Sequence, residues 1–120
     1  MMKNKDIKIV RSPMSRADLA VLAHEGFGDV IKVVVDVRQG IMAVGGELHA
    51  DEEIVLSEEC GSARTDTWGI NLYPAKLDEG FIEFDSMVNI KPAVGNRSRG
   101  VEDKAIQDKI RTIVGKLIIG

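Results

Sequence analysis

Between Val30 and Arg38 five of nine residues are valine and a sixth is isoleucine, the β-branched density of a strand. Ile31, Val33, Val35 and Val37 alternate with Lys32, Val34, Asp36 and Arg38, which predicts one core face and one mostly solvated face. Gln39-Gly40 supplies a turn, and Ile41 to His49 is expected to return as the partner strand of a hairpin. Thr65 to Tyr73 alternates as a further strand that Pro74 ends, and Phe81 to Ile90 predicts the longest one, stopped by Lys91-Pro92. Ile7 to Val10 predicts a short first strand.

Helical spacing appears near both ends. Ser15 can cap a helix whose apolar residues are Leu19, Leu22 and Ala23 and which Gly26 ends. Ile106, Ile110, Ile113, Val114 and Leu117 form a stripe after a cap at Asp103. Asp51-Glu52-Glu53 begins a shorter helix through Ile54-Val55-Leu56. The pattern predicts a two-layer α+β sandwich: a mostly antiparallel sheet of four to five strands with two main helices on one face. The other face would carry Lys32, Asp36, Arg38, Glu47, His49, Glu83, Asp85 and Asn89.

A length of 120 residues suits one domain. A net charge of -3 argues against nucleic acid as a partner. No apolar run approaches the ~18 residues of a membrane span, and the N-terminus lacks a signal-peptide pattern, so a cytoplasmic protein is expected. Cys60 is the only cysteine and follows Glu58-Glu59, a poor setting for a reactive thiol.

Candidate chemistry gathers at Gly45-Gly46-Glu47-Leu48-His49-Ala50-Asp51. On a strand, Glu47, His49 and Asp51 would leave one face together and could hold a divalent metal ion, with Asp66 or Asp85 from a neighbouring strand as base. The plainer reading has Asp51 capping a helix, Glu47 solvated and His49 packed at the strand end. A second candidate is the loop Gly95 to Gly100, where Arg97 or Arg99 and backbone N–H groups before a helix could hold a phosphate or carboxylate. Its plainer reading is that Arg97 pairs with Asp85 or Glu83 and pins the loop to the sheet. Trp68, flanked by apolar alternation, is expected in the core, and His24 at a helix end interacts with the dipole.

The block from Gly45 to Asp51, Asp66-Thr67-Trp68-Gly69-Ile70-Asn71-Leu72-Tyr73-Pro74, Ile82-Glu83-Phe84-Asp85-Ser86 and Asn96-Arg97-Ser98 together resemble a small prokaryotic single-domain family classed as a domain of unknown function. The resemblance runs from about residue 14 to residue 114. It implies a fold type and the candidate positions Glu47, His49, Asp51, Asp66, Trp68, Asn71, Asp85 and Arg97, and it supplies no catalytic residue.

Two functional readings remain open, so whether the chain is an enzyme is undecided at this level. In the first it binds a small anionic ligand or a protein partner across a polar sheet face through Glu47, His49, Asp66, Asn71, Asp85 and Arg97. In the alternative it is a metal-assisted hydrolase of a phosphoester or similar substrate. Phe81, Met87 and Val34 on the nominally wet face also suggest a homo-oligomer.

Overall fold

A computed structural model describes residues 6–120. In chain order the elements are β1 (Lys8–Val10), β2 (Met14–Ser15), α1 (Arg16–Glu25), β3 (Ile31–Asp36), β4 (Ile41–Val44), α2 (His49–Cys60), β5 (Thr67–Leu72), β6 (Ile82–Glu83), α3 (Lys104–Leu117) and β7 (Ile118–Ile119). Five strands form one antiparallel sheet in the order β1-β4-β3-β5-β6. β2 and β7 pair in parallel apart from it. The expected α+β class and antiparallel sheet are thus observed, as are the caps: Ser15 accepts from the Asp18 amide and Asp103 from the Ala105 amide.

Strand alternation divides the interior. Ile31, Val33 and Val35 of β3 and Trp68, Ile70 and Leu72 of β5 face Leu19 and Ala23 of α1 and Ile110, Val114 and Leu117 of α3. On the opposite face Val34, Ile41 and Ala43 pack against Val55 and Leu56 of α2. Each such buried aliphatic side chain contributes roughly 1.5–3 kcal/mol. The sheet face expected to be open and polar is therefore covered, over its β3–β4 half, by a third helix. Val34 lies under that helix, not in solvent, and Phe81 is half-buried with the Arg16 guanidinium 4.0 Å from its ring centroid. Of the three apolar side chains proposed to mediate self-association, Met87 alone is exposed.

Two predicted strands end early, for local reasons. β4 stops at Val44, because Gly45 takes a left-handed φ of 93° and the chain then bends into α2 at His49. Gly46 must lack a side chain, since a Cβ there would stand 2.9 Å from Glu52 Cγ. The expected long strand Phe81 to Ile90 pairs with β5 only at Ile82–Glu83. Beyond it, Ser86 accepts a hydrogen bond from the Val88 amide and starts a 3-10 turn over Met87–Asn89. This turn lies so close to β5 that a Cβ at Gly69 would be 2.5 Å from Ser86 Cβ. In place of strand pairing, Asn89 donates to the Gly69 carbonyl at 2.9 Å and accepts from its amide at 2.8 Å.

Asp36, also assigned to the wet face, is buried at the end of β3. It accepts from the Arg38 and Gln39 amides, the Gln39 side chain and the Ser62 hydroxyl, tying the β3–β4 turn to the segment after α2. Burial pushes its carboxyl up, but the bonds from Ser62, Gln39 and Arg38 outweigh burial and hold it below the ordinary carboxylate value. A depressed folded-state value contributes stability that is present above the unfolded value, near 3.9, and is lost as pH falls through the folded one. Asp36→Asn should therefore flatten the acid limb of a stability-versus-pH curve below pH ~4. An unchanged limb would assign the acid sensitivity to other carboxylates.

Candidate functional site

His49 is the first residue of α2, and its position follows from the bend at Gly45 and Gly46. Its Nε2 lies 2.8 Å from the Ile70 carbonyl oxygen, which can only accept, so Nε2 carries the proton and Nδ1 offers a lone pair. Nδ1 has no hydrogen-bond partner among the described residues. Burial pushes the imidazole below its ordinary value against the opposing bond to Ile70, with Lys32 acting in the same direction as burial. Both effects favour the neutral ring.

The charges of Lys32, Asp85 and Arg99 all act on this ring. Strand register explains part of the convergence: Lys32, Asn71 and Glu83 form one row across β3, β5 and β6. Asn71 donates to Glu83 Oε1 at 2.9 Å and to the Asp85 carbonyl at 3.3 Å, and the Tyr73 hydroxyl donates to the same Glu83 oxygen at 3.0 Å. Arg99 Nε bonds Asp85 Oδ1 at 2.6 Å. Lys32 is half-buried and makes no ion pair among the described residues. A helix end adds to this cluster. α2 lacks a side-chain cap, the Asp51 and Glu52 amides bond the Leu48 carbonyl, and the His49 and Ala50 amides have no acceptor among the described residues.

Of the residues singled out in the sequence, the fold brings together His49, Asn71 and Asp85. Glu47 and Asp51 do not join His49 on a shared strand face, because residues 49–60 are helical and Glu47 points into solvent from the loop before them. Asp51 does not cap the helix; Leu48 occupies that position and Asp51 lies in the first turn. Asp66 precedes β5 at the end away from Asn71, five residues or about 16 Å along the strand, and pairs with Arg38 at 3.7 Å. Among the described residues no group of three or more His, Cys, Asp or Glu side chains is placed to hold a metal ion.

Arg97 makes no ion pair among the described residues, and the pinning of the loop to Asp85 falls instead to Arg99. The loop's anion site is filled from within: Glu102 Oε2 accepts from the Arg97 and Ser98 amides at 3.1 and 2.9 Å. Ser98 and these amides hold the Glu102 carboxyl below its ordinary value.

Sequence reasoning placed Lys32 on the polar sheet face and Arg99 in the candidate anion loop without linking either to His49, and it did not foresee Glu52. Glu52 is fully buried, accepts from the Gly46 amide at 2.9 Å, and leaves Oε1 without a partner among the described residues. Burial pushes its carboxyl well above the usual range, against the bond from the Gly46 amide. Helical spacing carried the signal, since residues 49, 52, 53 and 56 share one face of α2.

A five-stranded antiparallel sheet with helices on both faces and a polar row at one end defines a small single-domain α+β protein. The chain belongs to the family described as "Protein of unknown function (DUF5674)", whose model matches residues 8–117. No curated protein and no solved structure matches the chain. Among the described residues no helix is long and apolar enough to cross a membrane.

Proposed function

We propose that this chain is a binding domain for a small anionic ligand, received at the open N-terminus of α2 between Lys32, His49 and Arg99. One observation carries the reading. α1 and α3 are capped by their own side chains, whereas α2 begins uncapped at a residue on which the charges of Lys32 and Arg99 act, with Asp85 opposing them. Free amides and the positive end of a helix dipole attract an anion, and an unpaired lysine strengthens the attraction. Asn71 and the Asp85–Arg99 pair border this position, and His49 offers Nδ1 to a ligand hydroxyl. The Gly95–Gly100 loop is the weaker anion receptor, because Glu102 already occupies its amides.

Titration with inorganic phosphate, followed by amide NMR, tests the proposal. The expected shifts gather at Lys32, His49 and Ala50, and Lys32→Ala weakens them about tenfold, the effect of losing one charge-assisted contact. Shifts confined to Arg97–Gly100, or an unchanged affinity in Lys32→Ala, would overturn it.

A further inference from the structure

A separate cleft of about 340 Å³ opens between the C-terminal end of α1 and the Gly45–Glu47 loop. That volume lies within the ~300–1,000 Å³ of small-molecule sites. Its walls combine apolar surface from Leu22, Val30 and Ile31 with the exposed ring of Phe27. Three glycines, Gly26, Gly45 and Gly46, leave bare backbone facing it. Its charge comes from Glu25 and Glu47, both exposed and neither forming an ion pair or hydrogen bond among the described residues. The C-terminal end of α1, negative by its dipole, adds to the same sign.

We infer that this cleft is a binding site for an organic cation, an amine or guanidinium on a short apolar stem. The stem is received by the apolar wall and the charged head by Glu25, Glu47 and the end of α1. Shape and charge agree on this occupant, since an anion would meet two carboxylates and a helix C-terminus while a purely apolar ligand would strand both carboxylates over its surface. The Phe27 ring already attracts a cation, with Lys32 Nζ 5.4 Å from its centroid. Lys32 thus stands between the two proposed sites, which makes them separable by one substitution. The inference does not depend on the anion site.

The test is titration of the full chain with n-butylguanidinium, read by amide NMR and calorimetry. Shifts are expected at Phe27, Gly45, Gly46 and Glu47. Glu25→Gln and Glu47→Gln are each expected to weaken binding about threefold, and the double variant about tenfold, as exposed ion pairs do. Lys32→Ala should leave n-butylguanidinium binding equal or tighter while phosphate binding falls, so failure of one site is distinguishable from failure of the other. Absence of shifts in the cleft at millimolar n-butylguanidinium, or affinity unaltered in the double glutamine variant with its fold intact by circular dichroism, would overturn the inference.

Discussion

Asn89→Ala is expected to destabilise the fold by about 3–5 kcal/mol, because the two buried backbone groups of Gly69 lose their partner at once and the Arg99 carbonyl loses one of its two donors. The Asn89 amide bonds both the N–H and the C=O of Gly69, and it donates as well to the Arg99 carbonyl at 2.9 Å. It is fully buried, so water cannot replace it without opening the turn. Asn96 depends on the same geometry, since its side-chain amide donates to the carbonyls of Asn89, Ser98 and Gly100 and so holds the loop that delivers Arg99 to Asp85. Urea unfolding gives the stability change, and hydrogen exchange at the Gly69 amide should accelerate in step. A loss below about 1 kcal/mol would mean that the turn does not seat against β5 in solution.

The second large effect concerns an ion pair inside the molecule. Lys91 and Glu53 are 3.5 Å apart with side chains only 7% and 10% exposed, and Lys91 Nζ also donates to the Val88 carbonyl at 2.7 Å. Burial pushes the Lys91 ammonium down and the Glu53 charge pulls it back up. Glu53 further accepts from the Thr67 hydroxyl at 2.7 Å and meets Arg64 at 3.4 Å. Lys91→Met leaves that carboxylate with one exposed cation, and a cost of about 3 kcal/mol is expected. Adding Glu53→Leu should recover more than half of it, because a desolvated pair gains little over a packed apolar one. The double-mutant cycle in urea measures the coupling. Additive losses would show that the two groups do not interact in solution.

Local features of the sequence were legible where one element decided them. The valine run of β3, the Ser15 and Asp103 caps and the apolar stripe of α3 appear as read. Trp68 is core, as its alternation implied. What failed depended on approach between distant segments. The need for glycine at position 69 lies in Ser86, seventeen positions away. The alternation from Phe81 to Ile90 imitates a strand, and only the hydrogen bonds of Ser86 and Asn89 break it. Likewise Glu47, His49 and Asp51 alternate perfectly in sequence, yet the left-handed Gly45 converts the period from two to that of a helix. Which arginine meets Asp85 was decided by the backbone bond from the Ser86 amide to the Arg99 carbonyl, a pairing no spacing rule encodes.

The Asn89 side chain has one more consequence, for the company this protein keeps at high concentration. A sheet grows wherever an outer strand presents unpaired backbone, and β6 covers only two residues of β5. Asn89 plugs the next position, so a foreign strand arriving there finds its hydrogen-bonding groups already taken. Among the described residues β1 and β6 are the two edges of the sheet, and on β1 the exposed Lys8 is a charge of the kind that discourages strand addition. Strand addition is thus opposed by an amide at one border of the sheet and by a charge at the other.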